Sequence, residues 1–161
     1  MIVVADSSPL QYLILLEQTA LLQHFYGQVV VPDAVAAELR AARTPESVRV
    51  WMSRPPSWIE VVLVSADEVA SVAAWLDAGE RAAIALAGRL GAQLILIDEM
   101  EGRAEAARRR LPVTGTLGIL RLAAVEGLID VAEVLARLGA TNFYADPHLI
   151  DTLFGRWLTG D

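Results

Sequence analysis

The chain has 161 residues, a net charge of −7 and a hydrophobic fraction of 55%. This length suits one domain, and this apolar content excludes intrinsic disorder. Cysteine is absent, which excludes disulfide scaffolds, thiol catalysis and cysteine-ligated zinc. All thirteen basic residues are arginine, so sites that need lysine, such as a Walker A phosphate loop or a Schiff base, are excluded as well.

The first part of the chain predicts strands that alternate with helices. Three short apolar runs have the composition of strands: residues 2–5, 28–31 and 58–64. Helices are predicted between them, at residues 10–25, 33–43 and, as one short helix between prolines, within 44–58. Ser8 is predicted to be the N-cap of the first helix, with Pro9 as its first helical residue.

The second part continues the alternation. Helices are predicted at residues 67–76, 80–90, 100–110, 116–138 and 147–158, a fourth strand at 94–97 and an edge strand at 112–113. Strands that alternate with helices imply a parallel sheet covered on both faces. We therefore predict an α/β fold, a three-layer α/β/α sandwich around a parallel sheet of four to five strands. A single domain is expected over residues 1–161, in which 140–161 form a C-terminal helical extension.

Four acidic residues have positions that suggest chemistry. Asp6 and Asp98 each follow an apolar strand directly, so in a parallel sheet their side chains emerge at the same edge. Glu38 and Glu80 lie on the apolar stripes of their predicted helices. Asp6 and Asp98 alone are equally well explained as helix caps, and Glu38 alone as a half-exposed helix residue. For Glu80, stabilisation of the helix dipole explains the position in the first turn but not the inward face. Together they would repel one another, and a hard cation such as Mg²⁺ or Mn²⁺ relieves that repulsion.

Several stretches carry a family resemblance. They are IVVADSSPLQYL, VVVPDAVAAELR, LDAGERAAIALA and LILIDEMEGRAEAARRRLPVTGTLGIL. These stretches resemble PIN-domain proteins, and more narrowly a prokaryotic PIN-like subgroup marked by LDxGE and DExxGR signatures, over residues 1–139. The resemblance implies an α/β/α metal-dependent ribonuclease, and many bacterial members are VapC-like toxins of toxin–antitoxin pairs. It assigns catalytic and metal-binding roles to Asp6, Glu38, Glu80 and Asp98.

The sequence departs from many active relatives at two of these acids. Glu80 stands where many have aspartate, and the turn at 96–99 differs from their Thr-Asn-Asp-like turn. Two hypotheses of function therefore stay open. The first is a metal-dependent endoribonuclease that cleaves single-stranded RNA, as the toxin of a type II toxin–antitoxin pair. The alternative is a PIN-like module that binds nucleic acid or regulates without turnover.

Further residues are candidates for substrate binding. They are Ser7, Arg40, Arg43, Arg103, Thr114 and Thr116. Arg40 and Arg43 belong to a segment, residues 40–54, that holds four arginines against the single acid Glu46. Such a segment supplies the locally positive rim that an acidic protein needs to bind RNA. Simpler roles are capping for Thr116 and ion pairing for the arginines.

Partners and location follow from the composition. The apolar surplus, with Trp51, Trp58 and Trp157 outside the predicted core elements, suggests an interface for a homodimer, an antitoxin protein or both. The first basic residue is Arg40, and no apolar run reaches the length of about 20 residues that a membrane span needs. A cytoplasmic protein without a membrane partner is expected.

Overall fold

The computed structural model describes residues 1–159. Contacts within the chain separate two compact units, residues 1–116 and 117–161. The elements of the first unit are β1 (Val3–Ala5), α1 (Ser7–Leu15), α2 (Ala20–Tyr26), β2 (Val29–Pro32), α3 (Asp33–Leu39), α4 (Glu46–Ser53), β3 (Ile59–Val62), α5 (Ala66–Ala70), α6 (Ala78–Leu90), β4 (Leu94–Leu96), α7 (Met100–Arg108) and β5 (Val113–Thr114). The single domain with an extension at 140–161 stays a prediction, and residues 160 and 161 lie outside the described residues.

The five strands form one parallel sheet in the order β3-β2-β1-β4-β5. The predicted α/β fold, a sandwich of helices around a central parallel sheet, is therefore confirmed. Every position of β1 and β2 is buried, which is why these strands read as unbroken apolar runs in the sequence. The chain moves outward from β1 to β2 and β3, then returns to the other side of β1 with β4. Strand order thus reverses between β1 and β4, which opens a crevice at their carboxyl ends.

Helix α6 organises the interior of this unit. It packs against β1, β2 and β4 and also against α3 and α7. Its buried residues Ala83, Ile84 and Ala87 join Val4 and Ile95 in one apolar cluster. The first turn of α6 is thereby held close to the crevice between the two central strands.

Four predicted helix boundaries are wrong. Helix α1 begins at Ser7 with Asp6 as its N-cap residue, so Ser8 and Pro9 lie inside its first turn. Helix α3 ends at Leu39 instead of 43, because the Thr44 hydroxyl bonds the Glu38 carbonyl oxygen and the chain turns toward Pro45. Helix α5 ends at Ala70 instead of 76. Helix α6 begins before Glu80, since the Asp77 side chain accepts a hydrogen bond from the Glu80 N–H and caps the helix.

The second unit is helical. Its elements are α8 (Thr116–Val125), which begins at the last residue of the first unit, α9 (Val131–Gly139) and α10 (Pro147–Leu158). Helix α9 packs against α10, and Asp130 and Asp146 cap them with their side chains. Within residues 1–159, no helix combines the length and the apolar character that crossing a membrane requires.

Candidate active site at the carboxyl ends of the central strands

Asp6 and Asp98 lie side by side where the two central strands end. Asp6 follows β1 directly, and its N–H donates to the Leu96 carbonyl oxygen at 2.9 Å. Asp98 follows β4 two residues after Leu96. The parallel register, in which Ala5 faces Leu96, brings both side chains to one edge of the sheet, as the sequence predicts.

Asp6 is the most deeply buried of the four acids. Its relative exposure is 2%, and its Oδ1 has no hydrogen-bond partner among residues 1–159. Burial, the largest cause, raises the pKa of Asp6 to about 7 together with the nearby charges of Asp77, Glu38 and Asp98. A buried carboxylate oxygen without a donor is costly, so this atom is a candidate ligand for a cation.

Gly79 makes the space into which Asp6 and Glu38 both point. A Cβ atom at residue 79 would lie 2.9 Å from Glu38 Oε2 and 3.2 Å from Asp6 Oδ1. Two carboxylate oxygens therefore face one small gap that exists because the residue has no side chain. Burial raises the pKa of Glu38, while a hydrogen bond from Ser7 and the charge of Arg43 lower it.

Glu80 faces a second glycine. Its relative exposure is 5%, and a Cβ at Gly102 would lie 2.8 Å from Glu80 Oε2. Because Gly102 in α7 has no side chain, α7 can pack close to α6 with the Glu80 carboxylate between them. The pKa of Glu80 is raised to about 8, and burial is the largest cause. A hydrogen bond with Asp77 and the negative charges of Asp77 and Asp6 also contribute to this rise.

Asp98 differs from the other acids because hydrogen bonds engage both of its oxygens. The Thr116 N–H donates to Oδ1 at 2.6 Å, and the Thr116 hydroxyl donates to Oδ2 at 2.7 Å. Burial raises the pKa of Asp98, but these two bonds and the charge of Arg103 oppose that rise.

Asp77, which lies between the helices predicted at residues 67–76 and 80–90, is a fifth acid near the other four. Its charge raises the pKa of Asp6, Glu38 and Glu80, so it lies among them. The signal was present in the sequence: aspartate followed three residues later by glutamate, before an apolar stripe, is typical of a capped helix start.

One comparison with known proteins shows the family of this chain. A family model described as a PIN domain matches residues 2–157. The chain belongs to the PIN-domain family. A search of curated proteins found no match. PIN domains are generally nucleases and typically use divalent metal ions, so the fold is that of a nuclease. The narrower VapC-like subgroup and its signatures stay predictions.

The donor set of this PIN domain fits a hard divalent cation. All the converging ligand atoms are carboxylate oxygens, which suit Mg²⁺ and Mn²⁺. The unpaired oxygen of Asp6 and the raised pKa values are what a cation at this place would relieve. Among residues 1–159, no three His, Cys, Asp or Glu side chains are grouped closely enough to hold a metal ion.

The predicted substrate-binding residues of the PIN domain fall into two places. Ser7, Arg103 and Thr116 contact the acids or the strand ends, with Arg103 Nη1 donating to the Ile97 carbonyl oxygen at 3.1 Å. Arg40 and Arg43 are exposed near α3, where the charge of Arg43 acts on Glu38. Thr114 is half-buried in β5. Their contacts with substrate remain predictions.

We expect Gly115→Ala to destabilise the protein, by about 2 kcal/mol or more, because overpacking forces neighbours to move. A Cβ there would lie 2.5 Å from Asp98 Oδ1, 2.8 Å from Arg103 Nη1 and 3.1 Å from the Ile97 carbonyl oxygen. Gly88→Ala is the matched control, since within the described part of the chain nothing lies within 4 Å of its Cβ position. Because Gly88 lies within a helix, Gly88→Ala should stabilise the protein by ~0.5–1 kcal/mol. Urea unfolding measures the free energy of unfolding of both variants, and equal changes in the two would contradict the expectation.

Proposed function

We propose that this PIN domain is a Mg²⁺- or Mn²⁺-dependent endoribonuclease that cleaves phosphodiester bonds of single-stranded RNA. The observation that carries the proposal is Asp6 Oδ1, which is buried, unpaired within residues 1–159 and directed with Glu38 Oε2 toward the gap at Gly79. A buried carboxylate oxygen in this state costs stability, and a bound cation would offset that cost. Asp6 lies at the crevice where the strand order reverses, and this crevice is the place at which α/β folds bind ligands.

Asp6, Glu38, Glu80 and Asp98 would hold the proposed ion. When bound, a divalent cation lowers the pKa of water and neutralises charge on the phosphodiester. Asp6 and Glu80, with pKa values of about 7 and 8, carry protons that must leave before they bind an ion. Ion binding should therefore strengthen as the pH rises through this range. Asp77 adds negative charge beside them and favours the entry of a cation.

Single-stranded RNA is the proposed substrate because the acids are recessed. A flexible strand can bring one phosphodiester into a buried site, whereas a rigid duplex presents its backbone from outside. The rim at residues 40–54 supports this, since two of its arginines are fixed by main-chain carbonyls. Arg40 Nε donates to Met52 at 3.0 Å and Arg49 Nε to Thr44 at 2.9 Å. Fixed guanidinium groups are well suited to bind phosphate.

The function is tested by incubating end-labelled single-stranded RNA with the protein and Mn²⁺ or Mg²⁺. We expect internal cleavage that EDTA abolishes and excess metal restores, with a duplex of the same sequence cut at least about tenfold more slowly. Gel electrophoresis of the products measures both. RNA that is bound but never cut, at any metal concentration, would overturn the nuclease proposal and favour the non-catalytic module.

Charge reversal on the rim tests the substrate contact. We expect Arg40→Glu with Arg43→Glu to raise the KM for a single-stranded oligonucleotide by about tenfold and to flatten the dependence of binding on salt. The value of kcat should change little, because the acids remain. Arg137→Glu with Arg156→Glu, in the second unit, is the matched control. If KM and the salt slope stay as in the wild type, the phosphate rim lies elsewhere.

We also propose that the protein is the toxin of a type II toxin–antitoxin pair. An antitoxin or a second copy of the chain would then cover part of its surface. Large apolar side chains are exposed in the first unit, among them Leu63 at 76% and Trp75 at 65%. Trp51 and Trp58, in contrast, are half-buried and pack edge to face at 6.0 Å. Exposed large apolar side chains are candidates for an interface with a partner. A monomer at micromolar concentration in light scattering would exclude the homodimer.

A further inference from the structure

Thr116 touches Asp98 rather than open solvent, although the sequence favours a role in capping or in binding phosphate. We propose that Thr116 is a positioning residue for Asp98, and that Thr116, Gly115 and Arg103 form a clamp that fixes this carboxylate for the cation. The inference rests on the proposed function, because it concerns the same acids.

The hydrogen bonds of Thr116 define the orientation of Asp98. One residue supplies both donors, the N–H to Oδ1 at 2.6 Å and the hydroxyl to Oδ2 at 2.7 Å. Thr116 itself is fully buried, with 0% relative exposure. Two short bonds to the two oxygens of one carboxylate fix the plane of that group, as a bidentate ion pair does. A single bond would leave the carboxylate free to rotate.

The position of Thr116 in the chain explains why its N–H is available. Thr116 is the first residue of α8, and the N–H groups of a first helical turn have no acceptor within the helix. Asp98 satisfies this donor, and the donor in turn orients Asp98. Each carboxylate oxygen has two lone pairs, so the pair that faces away from Thr116 remains for a cation.

Gly115 and Arg103 complete the clamp. Arg103 Nη1 donates to the carbonyl oxygen of Ile97, the residue that precedes Asp98 in the chain. The Cβ position of Gly115 lies 2.5 Å from Asp98 Oδ1 and 2.8 Å from Arg103 Nη1, closer than any side chain allows. Glycine at 115 is thus the condition for Thr116 to come within hydrogen-bond distance of Asp98.

These contacts join residues of the chain itself, so the clamp can orient Asp98 without help from a cation. Groups that orient a metal ligand raise affinity because the ligand loses less freedom on binding, and their removal typically weakens metal binding about 10- to 100-fold. Thr116→Val removes the hydroxyl and keeps the side-chain volume and the N–H. Thr116→Ser keeps the hydroxyl and should restore the function.

The test is the Mn²⁺ dissociation constant of the full chain, measured by isothermal titration calorimetry at pH 8. We expect Thr116→Val to weaken Mn²⁺ binding by about tenfold or more and Thr116→Ser to bind within about threefold of wild type. Thr141→Val is the matched control, since it removes a threonine hydroxyl that donates to the Leu138 carbonyl oxygen at 2.6 Å. It should bind Mn²⁺ as the wild type does. Unchanged affinity in Thr116→Val, with the wild type binding Mn²⁺, would overturn the clamp and leave the proposed function standing.

A second measurement needs no metal. In metal-free protein, hydrogen exchange at the Thr116 amide should be at least about tenfold faster in Asp98→Ala than in the wild type, while the amides of β1 stay protected. Glu99→Ala, which removes the neighbouring exposed acid, should leave the Thr116 amide unchanged. This measurement decides the inference if Thr116→Val does not fold. Hydrogen exchange also tests the clamp if the wild-type protein binds no Mn²⁺. That result by itself refutes only the proposed function. An unchanged Thr116 amide in Asp98→Ala would refute the clamp.

Discussion

Asp6→Asn is expected to abolish RNA cleavage and, at the same time, to make the metal-free protein more stable. The loss of activity should be about 10³-fold in kcat, or about 4 kcal/mol of transition-state stabilisation, because the substitution removes a charged ligand of the proposed cation. The gain in stability follows from the burial of Asp6, whose ionisation is unfavourable enough to raise its pKa to about 7. The amide of asparagine carries no charge and can donate a hydrogen bond toward Glu38 Oε2, which faces the same gap.

At pH 8 the stability gain is expected to be about 2–4 kcal/mol, from the shift of the Asp6 pKa above the ordinary value of 3.8. Thermal unfolding without metal measures it, and addition of Mn²⁺ should then raise the Tm of wild type but not of Asp6→Asn. Asp67→Asn is the matched control, since Asp67 is an exposed aspartate of α5. A variant that retains cleavage, or that loses stability without metal, would show that Asp6 is an ordinary structural acid.

The stability of the metal-free protein should fall as the pH rises from about 4 to about 8. The folded-state pKa values of Asp6 and Glu80, about 7 and about 8, lie above the ordinary values of 3.8 and 4.5. Between the ordinary and the raised values the folded protein holds protons that the unfolded chain has lost, so raising the pH favours unfolding. The stabilisation is complete below the ordinary pKa values and is lost once the pH exceeds the raised ones.

The expected loss is about 2–4 kcal/mol between pH 5 and pH 8, or roughly 5–15 °C in Tm for a chain of this size. Saturating Mg²⁺ should restore the Tm most at pH 8 and little at pH 5, since a cation binds the ionised carboxylates. The double variant Asp6→Asn with Glu80→Gln should flatten the metal-free profile. A Tm that is constant or that rises over this range would contradict the raised pKa values and the buried state of both acids.

The strand pattern predicted the fold because the central strands are covered on both faces. The buried apolar run from Ile95 to Ile97 indicated a strand, although β4 ends at Leu96, two residues before Asp98. Helix ends were less predictable. The end of α3 depends on a bond from Thr44 to the Glu38 carbonyl oxygen, and such a local tertiary contact leaves no periodic signal.

The sequence predicted which acids belong to the candidate site. It did not predict the glycines whose missing side chains leave space for those acids. Helical periodicity placed Glu80 on the inward face of α6, and the structure buries it. The roles of Gly79 and Gly115 depend on which carboxylate each one faces. That information is held in the packing of α6 against α3 and in the pairing of β4 with β5, neither of which a local pattern encodes. The two hydrogen bonds from Thr116 to Asp98 join residues 18 positions apart, and they were missed for the same reason.

The strand order also determines when during synthesis the site can exist. The first strand can pair with β2 early, but its other neighbour is β4, and Asp98 accepts two hydrogen bonds from Thr116. Asp6 and Asp98 therefore meet only after most of the first unit has left the ribosome, since a domain folds as its late segments emerge. A truncated or nascent chain that ends before residue 116 carries Asp6, Glu38 and Glu80 but no oriented fourth acid. An RNA-cutting protein with this topology would lack its complete site for as long as residue 116 has not emerged.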